Sequence, residues 1–238
     1  MNPSSQKLVK LEQMGLGPVW QRRVSSEAAQ PAETLSENLP SVTDDEIAQM
    51  DWDALNLAIN NCKRCPLCTT RTQAVPGSGA TDAQYLFVGE GPGHAEDLQG
   101  EPFVGPAGKL LDNMLLAIDL QRDKQTFIAN VVKCRPVGAD GHDRPPSTDE
   151  AVACLPYLQR QIALIKPAII VALGKVAATN LLDLAPDTAL GGLRGTPHQH
   201  GVTPVVVTYH PAYLLRKPAD KSKSWADLCL TKSLHDGG

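Results

Sequence analysis

The apolar positions of this chain fall into short unbroken runs and longer stretches with helical spacing. Short runs rich in Val, Ile and Leu predict buried strands, whereas apolar residues three and four positions apart predict amphipathic helices. The predicted strands are Tyr85–Val88, Thr126–Val131, Ala168–Leu173 and Pro204–Thr208. The predicted helices are Thr43–Asn60, Ala107–Ile118, Thr148–Ile165, Lys175–Leu182 and Ser222–Ser233. This alternation predicts an α/β fold, a three-layer sandwich with a central, mostly parallel four-stranded sheet flanked by helices.

The segment before the first predicted helix has a different composition from the rest of the chain. Residues 1–45 are rich in Ser, Pro, Glu and Ala, which predicts a disordered or weakly structured N-terminal extension. Residues 46–238 are expected to form one domain, since a chain of 238 residues with 42% hydrophobic residues can build one sizeable core. We expect a monomer whose extension is a candidate docking segment for an unknown protein partner.

The charges are unevenly distributed along the chain. Residues 1–51 hold four Lys and Arg against eight Asp and Glu, which accounts for the whole net charge of −4. Local basic patches can therefore still contact phosphates, because screening limits each charge to a neighbourhood of about 8 to 10 Å. The basic residues expected to do so are Lys63, Arg64, Arg71, Lys133, Arg135, Arg216, Lys217, Lys221 and Lys223. No apolar run approaches the roughly 18 residues that span a membrane and no signal-peptide core is found, so a cytoplasmic protein without a membrane segment is expected.

The stretch Leu86–Asn113 combines a predicted strand with a glycine-rich loop of about 18 residues that lacks periodicity. Long loops of this kind are more often functional than connective, and Glu90 follows the strand where ligands of open α/β sheets usually bind. The glycines do not form a dinucleotide fingerprint, because His94 stands where the last glycine of G-x-G-x-x-G is required. Walker A and G-x-S-x-G motifs are also missing from the sequence. The loop predicts a ligand site of another class.

Six cysteines in a chain of this kind suggest metal or redox chemistry rather than disulfides. Cys62 and Cys65 form a C-x2-C pair, Cys134 follows a predicted strand, and Cys154 lies on the next predicted helix. Four thiolates placed in this way suit either a zinc ion or an iron–sulfur cluster. Cys68 extends the first pair towards a ferredoxin-like run, but the fourth cysteine and proline of such a run are missing.

Three longer motifs carry a resemblance to a known family. They are GEGPGHAEDLQGEPFVGPAGKLLDNML, NVVKCRP and TYHPAYLLR, within the region from about Ala54 to Ser233. Together they resemble the family 4 uracil-DNA glycosylases, which excise uracil from DNA for base excision repair. The resemblance implies a uracil-DNA glycosylase-like catalytic domain over residues 46–238 and uracil-containing DNA as substrate. It also implies a [4Fe–4S] cluster on Cys62, Cys65, Cys134 and Cys154, with Cys68 outside the ligand set.

The resemblance implies a base pocket made from three residues. An enzyme that acts on one base must take it out of the stack and hold it by its face and edge. Phe103 is expected to stack on uracil, and the Asn130 amide is expected to pair with uracil O4 and N3–H. His210 is expected to donate a hydrogen bond to O2 as negative charge develops on the departing base, and its alternative role is that of a histidine at a helix start.

The water-positioning aspartate of the related family 1 enzymes aligns with Gly91, so the sequence does not supply a strong general base there. Glu90 and Glu96 are candidates for orienting water or stabilising the cationic sugar, and Glu96 is alternatively a guard against the methyl group of thymine. Gly91 and Glu96 are therefore expected among the substrate-binding residues. Departure of the base before water attacks would make a strong base unnecessary.

Two other hypotheses fit parts of the sequence. A non-catalytic iron–sulfur module that binds nucleic acid or transfers electrons would use the cysteines, but it has no use for Phe103, Asn130 and His210 together. A covalent uracil-trapping relative would carry a basic, histidine-containing insert between the first motif and Asn130, and the sequence has none there.

Overall fold

The computed structural model describes residues 42–237, which form one unit. The predicted N-terminal extension, residues 1–45, lies almost entirely outside the described residues. The first helix begins at Asp44, and the Thr43 side chain caps it in a reciprocal arrangement with Glu46. Ile47 of this helix is fully buried. The expected domain boundary at residue 46 therefore falls within the first turn of a helix that packs on the core.

The helices and strands follow one another along the chain in an alternating order. The strands are β1 Ser78–Gly79, β2 Tyr85–Gly89, β3 Thr126–Asn130, β4 Ile169–Leu173, β5 Pro197–His200 and β6 Thr203–Thr208. The helices are α1 Asp44–Gln49, α2 Trp52–Asn60, α3 His94–Gln99, α4 Pro106–Leu116, α5 Thr148–Ile165, α6 Lys175–Leu181, α7 Leu190–Leu193, α8 Pro211–Arg216 and α9 Lys221–Asp236. Short 3₁₀ helices lie at Pro66–Thr69 and Pro218–Asp220.

The sheet has six strands in the order β1-β3-β2-β4-β6-β5 rather than the four that the sequence predicted. The four predicted strands form its parallel centre, and β1 and β5 pair antiparallel at the two edges. Neither edge strand has an apolar run, since β1 has two residues and β5 reads PHQH. Hydrophobic patterning detects strands that are buried on both faces, and these edges are not.

Alternate residues of the central strands pack into two separate cores, which makes the molecule a three-layer α/β sandwich. On one face, Leu86 and Val88 belong to a core with residues of α1, α2, α5 and α6. On the other, Tyr85 and Phe87 belong to a core with residues of α4, α8 and α9. The period of two along a strand produces this division, because successive side chains point to opposite faces.

Two predicted segments differ in detail from the structure. The helix predicted at Thr43–Asn60 is two helices, because Met50 is extended and the Asp51 side chain accepts a hydrogen bond from Ala54 N–H as a new N-cap. The loop after β2 contains α3, whose six residues are too short to show a helical period. Within residues 42–237, no helix combines the length and apolar character that crossing a bilayer requires.

Candidate active site and cysteine chamber

A cleft of about 720 Å³ opens at the carboxyl ends of the parallel strands. Connections from β2 and β4 leave in opposite directions along the sheet, and ligands of open α/β sheets bind at such points. All six residues that the sequence placed in the substrate site line this cleft: Glu90, Gly91, Glu96, Phe103, Asn130 and His210. They come from the loop after β2, the end of β3 and the residues after β6. The fold therefore brings the three motifs together.

Asn130 occupies the floor of the cleft with a side chain that is 2% exposed. Its Oδ1 is buried and has no hydrogen-bond partner among the described residues. A Cβ at Gly89 would lie only 2.4 Å from this oxygen and 2.6 Å from Cζ of Phe103, so glycine is required there. A buried acceptor without a donor is unfavourable unless a ligand supplies one.

Phe103 lies against His210, with ring centroids 5.5 Å apart and planes inclined by 31°. Its backbone is in the left-handed region, with φ of 56°, which is uncommon for a bulky residue. Arg122 stabilises this conformation, because its Nη2 donates to the Phe103 carbonyl at 2.5 Å. Gly108 allows it, since a Cβ there would lie 1.7 Å from the same carbonyl oxygen. Strain of this kind is concentrated at functional sites.

His210 is the N-cap of α8, and its Nδ1 accepts a hydrogen bond from Ala212 N–H at 3.2 Å. An accepting Nδ1 leaves the proton of a neutral imidazole on Nε2, which is then a donor. Burial, with a smaller contribution from Arg216, lowers the pKa of His210 to about 4. The ring is therefore neutral at physiological pH. The helix-start role and the donor role considered for this histidine are compatible.

The two glutamates of the first motif have different environments. Burial raises the pKa of Glu90, which follows the last residue of β2 and lines the cleft. The Glu96 carboxylate instead accepts from Val104 N–H at 2.9 Å, Gly105 N–H at 3.0 Å and Gly93 N–H at 3.2 Å. Oε1 thus holds the segment after Phe103, and Oε2 caps the first turn of α3. Glu96 lines the cleft and also supports the segment that follows Phe103.

The remaining cleft wall comes from two places. Gly91 lies against Val132, and a Cβ there would meet its side chain at 2.7 Å. Beside it, the wall continues in a segment between Cys134 and Cys154, in which Arg144 forms a two-pronged ion pair with Glu150. Sequence patterning assigned no role to this segment. The Pro-Pro pair before the N-cap of α5 is the sequence feature that could have indicated an ordered segment here.

A second site, called the cysteine chamber here, is a small cavity lined by Cys62, Cys65, Cys68, Cys134 and Cys154. The four cysteines assigned as cluster ligands therefore converge from the segment after α2, the loop after β3 and α5. Cys68 lies in the same cavity, which the sequence did not indicate. The exposed Cys229 on α9 is not among the residues of the chamber.

Hydrogen-bond donors surround the thiol groups. Arg71 Nη1 donates to Cys134 Sγ at 2.9 Å, and Lys133 N–H donates to Cys154 Sγ at 3.3 Å. Burial raises the pKa of the Cys134 thiol to about 11 and that of Cys154 to about 12. Thiols with such values keep their protons at neutral pH unless a metal replaces them.

Two further donors in the chamber are buried without partners among residues 42–237: Arg64 Nη1 and the Tyr157 hydroxyl. Unpaired donors suit an anionic group, and several thiolates bound to iron and sulfide carry net negative charge. No three His, Cys, Asp or Glu side chains within that part of the chain are arranged to hold a single metal ion. A cluster requires another arrangement, since each cysteine binds a different iron atom. The donor set and the unpaired atoms fit an iron–sulfur cluster.

Lys133 does not lie on the surface, where a phosphate contact would require it. Lys133 was expected to contact phosphate, but it is 1% exposed and its Nζ hydrogen-bonds to the Asn130 carbonyl and to Gln161. Arg64 and Arg71 are also engaged internally, with Asp44 and Cys134 respectively. By contrast, Lys217, Lys221 and Lys223 are exposed beside the cleft-forming α8. Lys63 is exposed as well, whereas Arg135 and Lys223 form ion pairs with Asp143 and Asp220.

Comparison with known proteins gives a consistent assignment. The family model of the uracil DNA glycosylase superfamily matches residues 76–230. The type-4 uracil-DNA glycosylase of Pyrobaculum aerophilum is 43% identical over 187 residues, covering 76% of this chain and 93% of the relative. The enzymes of the same name from Sulfurisphaera tokodaii and Thermotoga maritima are 45% and 41% identical, covering 66% and 68% of this chain and 73% and 82% of their own lengths. These matches agree with the cleft and the chamber described above, and the chain belongs to the type-4 uracil-DNA glycosylases.

Proposed function

We propose that this enzyme excises uracil from DNA by flipping the nucleotide into the cleft and hydrolysing its N-glycosidic bond, which leaves an abasic site. Family membership supports the activity. The convergence of Phe103, Asn130 and His210 supports the placement of the base. The cleft serves no purpose in a non-catalytic iron–sulfur module, so that alternative loses its support.

Asn130 is the proposed reader of the base edge. Its buried Oδ1 accepts from uracil N3–H and its amide nitrogen donates to O4, while the Phe103 ring covers the base face. Cytosine presents an acceptor at N3 and a donor at C4, so both contacts would fail. Sites built on buried hydrogen bonds reject the wrong partner by a large factor, because the polar groups are left unpaired.

His210 is the proposed donor to uracil O2. Cleavage of the glycosidic bond leaves negative charge on the base, and a preorganised donor stabilises that charge without reorganisation. A neutral imidazole suits this task, since its Nε2 proton has been fixed by the hydrogen bond at Nδ1. The departing uracil thus leaves as a stabilised anion.

Glu90 is the proposed carboxylate for the sugar side of the reaction. Its ionised form would stabilise positive charge on the sugar and orient water, and Gly91 leaves no aspartate for a stronger base. Such a site favours departure of the base first and attack of water second.

The cysteine chamber is proposed to hold a [4Fe–4S] cluster on Cys62, Cys65, Cys134 and Cys154. When bound, the cluster would supply four iron–thiolate bonds that tie the segment after α2, the loop after β3 and α5 together. Arg71, Arg64 and Tyr157 would donate hydrogen bonds to its negative charge. Cys68 stays outside the proposed ligand set, as a thiol beside it.

The observation that carries this proposal is the unpaired Oδ1 of Asn130 in the cleft that the Phe103 and His210 rings also line. The test incubates the purified protein with DNA containing a single uracil, in single-stranded and duplex form, and measures abasic sites. We expect the protein to excise uracil but not cytosine from the DNA. The excision rate should fall strongly in Asn130→Ala and His210→Ala. Parent-like excision by both variants would place the pocket elsewhere.

We further propose that the enzyme acts as a cytoplasmic monomer and that its N-terminal extension, residues 1–45, binds a protein partner. Sedimentation of the purified chain tests the first point. A concentration-dependent increase in mass would contradict it.

A further inference from the structure

Lys133 is an unusual residue for its position. Its side chain is 1% exposed, yet no carboxylate pairs with its ammonium group among the described residues. Its Nζ donates to the Asn130 carbonyl at 2.8 Å and to Gln161 Oε1 at 2.6 Å. Lysine is almost never fully buried unless it is paired, because the charged group loses its hydration. A hydrophobic side chain would fill this space without that penalty.

The neighbours of Lys133 connect three parts of the molecule. Gln161 lies on α5, and its Nε2 donates to the Pro76 carbonyl at 2.8 Å. The main chain of Lys133 donates to Cys154 Sγ and accepts from Val75 N–H at 2.8 Å. The residue therefore joins the end of β3, the helix that carries Cys154 and the segment before β1.

The peptide that follows Asn130 lies at the end of β3 and is held from both sides. Its Val131 N–H donates to the Gly89 carbonyl at 3.0 Å, and its Asn130 carbonyl accepts from Lys133 Nζ at 2.8 Å. A shift of the Asn130 peptide would move its side chain, because the two share one Cα. Displacements of about 1 Å in an active site can slow a reaction roughly 10²-fold.

We propose that Lys133 is a positioning residue for base recognition, which holds the Asn130 peptide in place and anchors it through Gln161 to the helix bearing Cys154. This inference rests on the base-reading role proposed for Asn130. It gives the chamber and the cleft a direct physical connection, through one side chain. Replacement of Lys133 should then slow uracil excision when Asn130 is present, and should have little effect when Asn130 has been replaced.

The test is a double-mutant cycle between Lys133→Met and Asn130→Ala. Single-turnover excision rates are measured on uracil-containing DNA, with the enzyme concentration set by iron content and visible absorption. Lys133→Met should slow excision roughly 10- to 100-fold in the parent. It should have little further effect in the Asn130→Ala background, because residues that act as one unit are not additive.

Two more variants complete the experiment. Gln161→Met, which removes one acceptor of Nζ, should give a smaller loss that also disappears in Asn130→Ala, and this pair decides the question if Lys133→Met does not fold. Lys124→Met, an exposed lysine just before β3, is the matched control and should excise like the parent. Iron content and absorption per chain should stay at parent values in Gln161→Met and Lys133→Met.

Each contrary result has a distinct meaning. Losses that multiply in the double variants would show that Lys133 acts independently of Asn130, and the inference would be wrong while the proposed pocket survives. Parent-like excision by Lys133→Met would overturn it as well. Parent-like excision by Asn130→Ala would overturn the base-reading role and this inference together.

Discussion

The cysteine chamber and the uracil cleft differ in which polar atoms they leave unpaired. In the chamber these are donors, Arg64 Nη1 and the Tyr157 hydroxyl, among the described residues. In the cleft the unpaired atom is an acceptor, Asn130 Oδ1. Unpaired donors fit a negatively charged cluster, and an unpaired acceptor fits the N3–H of uracil. The sign of a buried, unsatisfied group therefore indicates which kind of ligand each site is built to receive.

The two sites also differ in how the chain assembles them. Cys62 and Cys65 are close in sequence, and Cys134 and Cys154 flank one ordered segment. The cleft instead draws on the ends of three separate strands. Asn130 and Cys134 nevertheless lie within one short stretch of chain, and Lys133 between them hydrogen-bonds to both Cys154 Sγ and the Asn130 carbonyl.

The largest expected effect separates a cluster ligand from its neighbour. Cys134→Ala should abolish iron binding and destabilise the fold, because the thiolate links the loop after β3 to the chamber. Cys68→Ala should retain iron and its visible absorption, although Cys68 lines the same cavity. Iron analysis and thermal unfolding measure both. Bleaching of Cys68→Ala with retention of iron in Cys65→Ala would reverse the ligand assignment.

In the cleft, the largest effect is expected for the donor to the leaving base. His210→Ala should slow single-turnover excision roughly 10²- to 10³-fold, the usual loss for one donor to a developing anion. Binding of uracil-containing DNA should change only a few fold. Equal losses in binding and rate would indicate ground-state positioning instead.

Asn130→Asp tests the acceptor in the cleft directly. The carboxylate cannot donate to uracil O4, so excision of uracil should fall roughly 10- to 100-fold, the range for one good base contact. Any residual activity should shift towards cytosine, whose N4 donates. Competition between uracil- and cytosine-containing DNA measures the shift, and an unchanged preference would contradict the proposed base pairing.

The pH dependence distinguishes Glu90 from His210. Burial raises the pKa of Glu90 above its usual value, so the ionised form is lost as pH falls through this raised pKa, and excision should decline with it. His210, with a pKa of about 4, should remain neutral over the same range and give no transition near pH 6.5. Glu90→Gln should remove the acid limb of the rate profile. Persistence of that limb in Glu90→Gln would assign it to another group.

The smallest effect is expected at the N-terminus. Deletion of residues 1–41 should leave excision and iron content nearly unchanged, since α1 begins at Asp44. Deletion of residues 1–45 also removes the Thr43 cap and the Asp44 partner of Arg64, which should lower the free energy of unfolding by about 1 kcal/mol. Denaturant unfolding compares the two. A loss of excision on the shorter deletion would give residues 1–41 a functional role.

The central strands could be predicted because they are buried on both faces and read as apolar runs. The motif around Glu90 and the end of β3 at Asn130 could be located for the same reason, since each follows such a run. Family resemblance then supplied roles for Phe103, Asn130 and His210, which the structure places in one cleft. The hydrophobic pattern was sufficient to locate a residue wherever its position depended only on the strand or helix that carries it.

Other features depended on segments far apart in the chain. The edge strand β5 has no apolar pattern and exists because β6 offers it a partner. Sequence alone left Glu96 a candidate for orienting water, stabilising the sugar cation or excluding thymine, and only the fold shows that its Oε1 accepts from the amides of Val104 and Gly105. Lys133 looked like a surface lysine, since sequence does not reveal that Gln161 and the Asn130 carbonyl can replace its water. Whether a polar group is buried, and what satisfies it there, is decided by residues that only tertiary folding brings together.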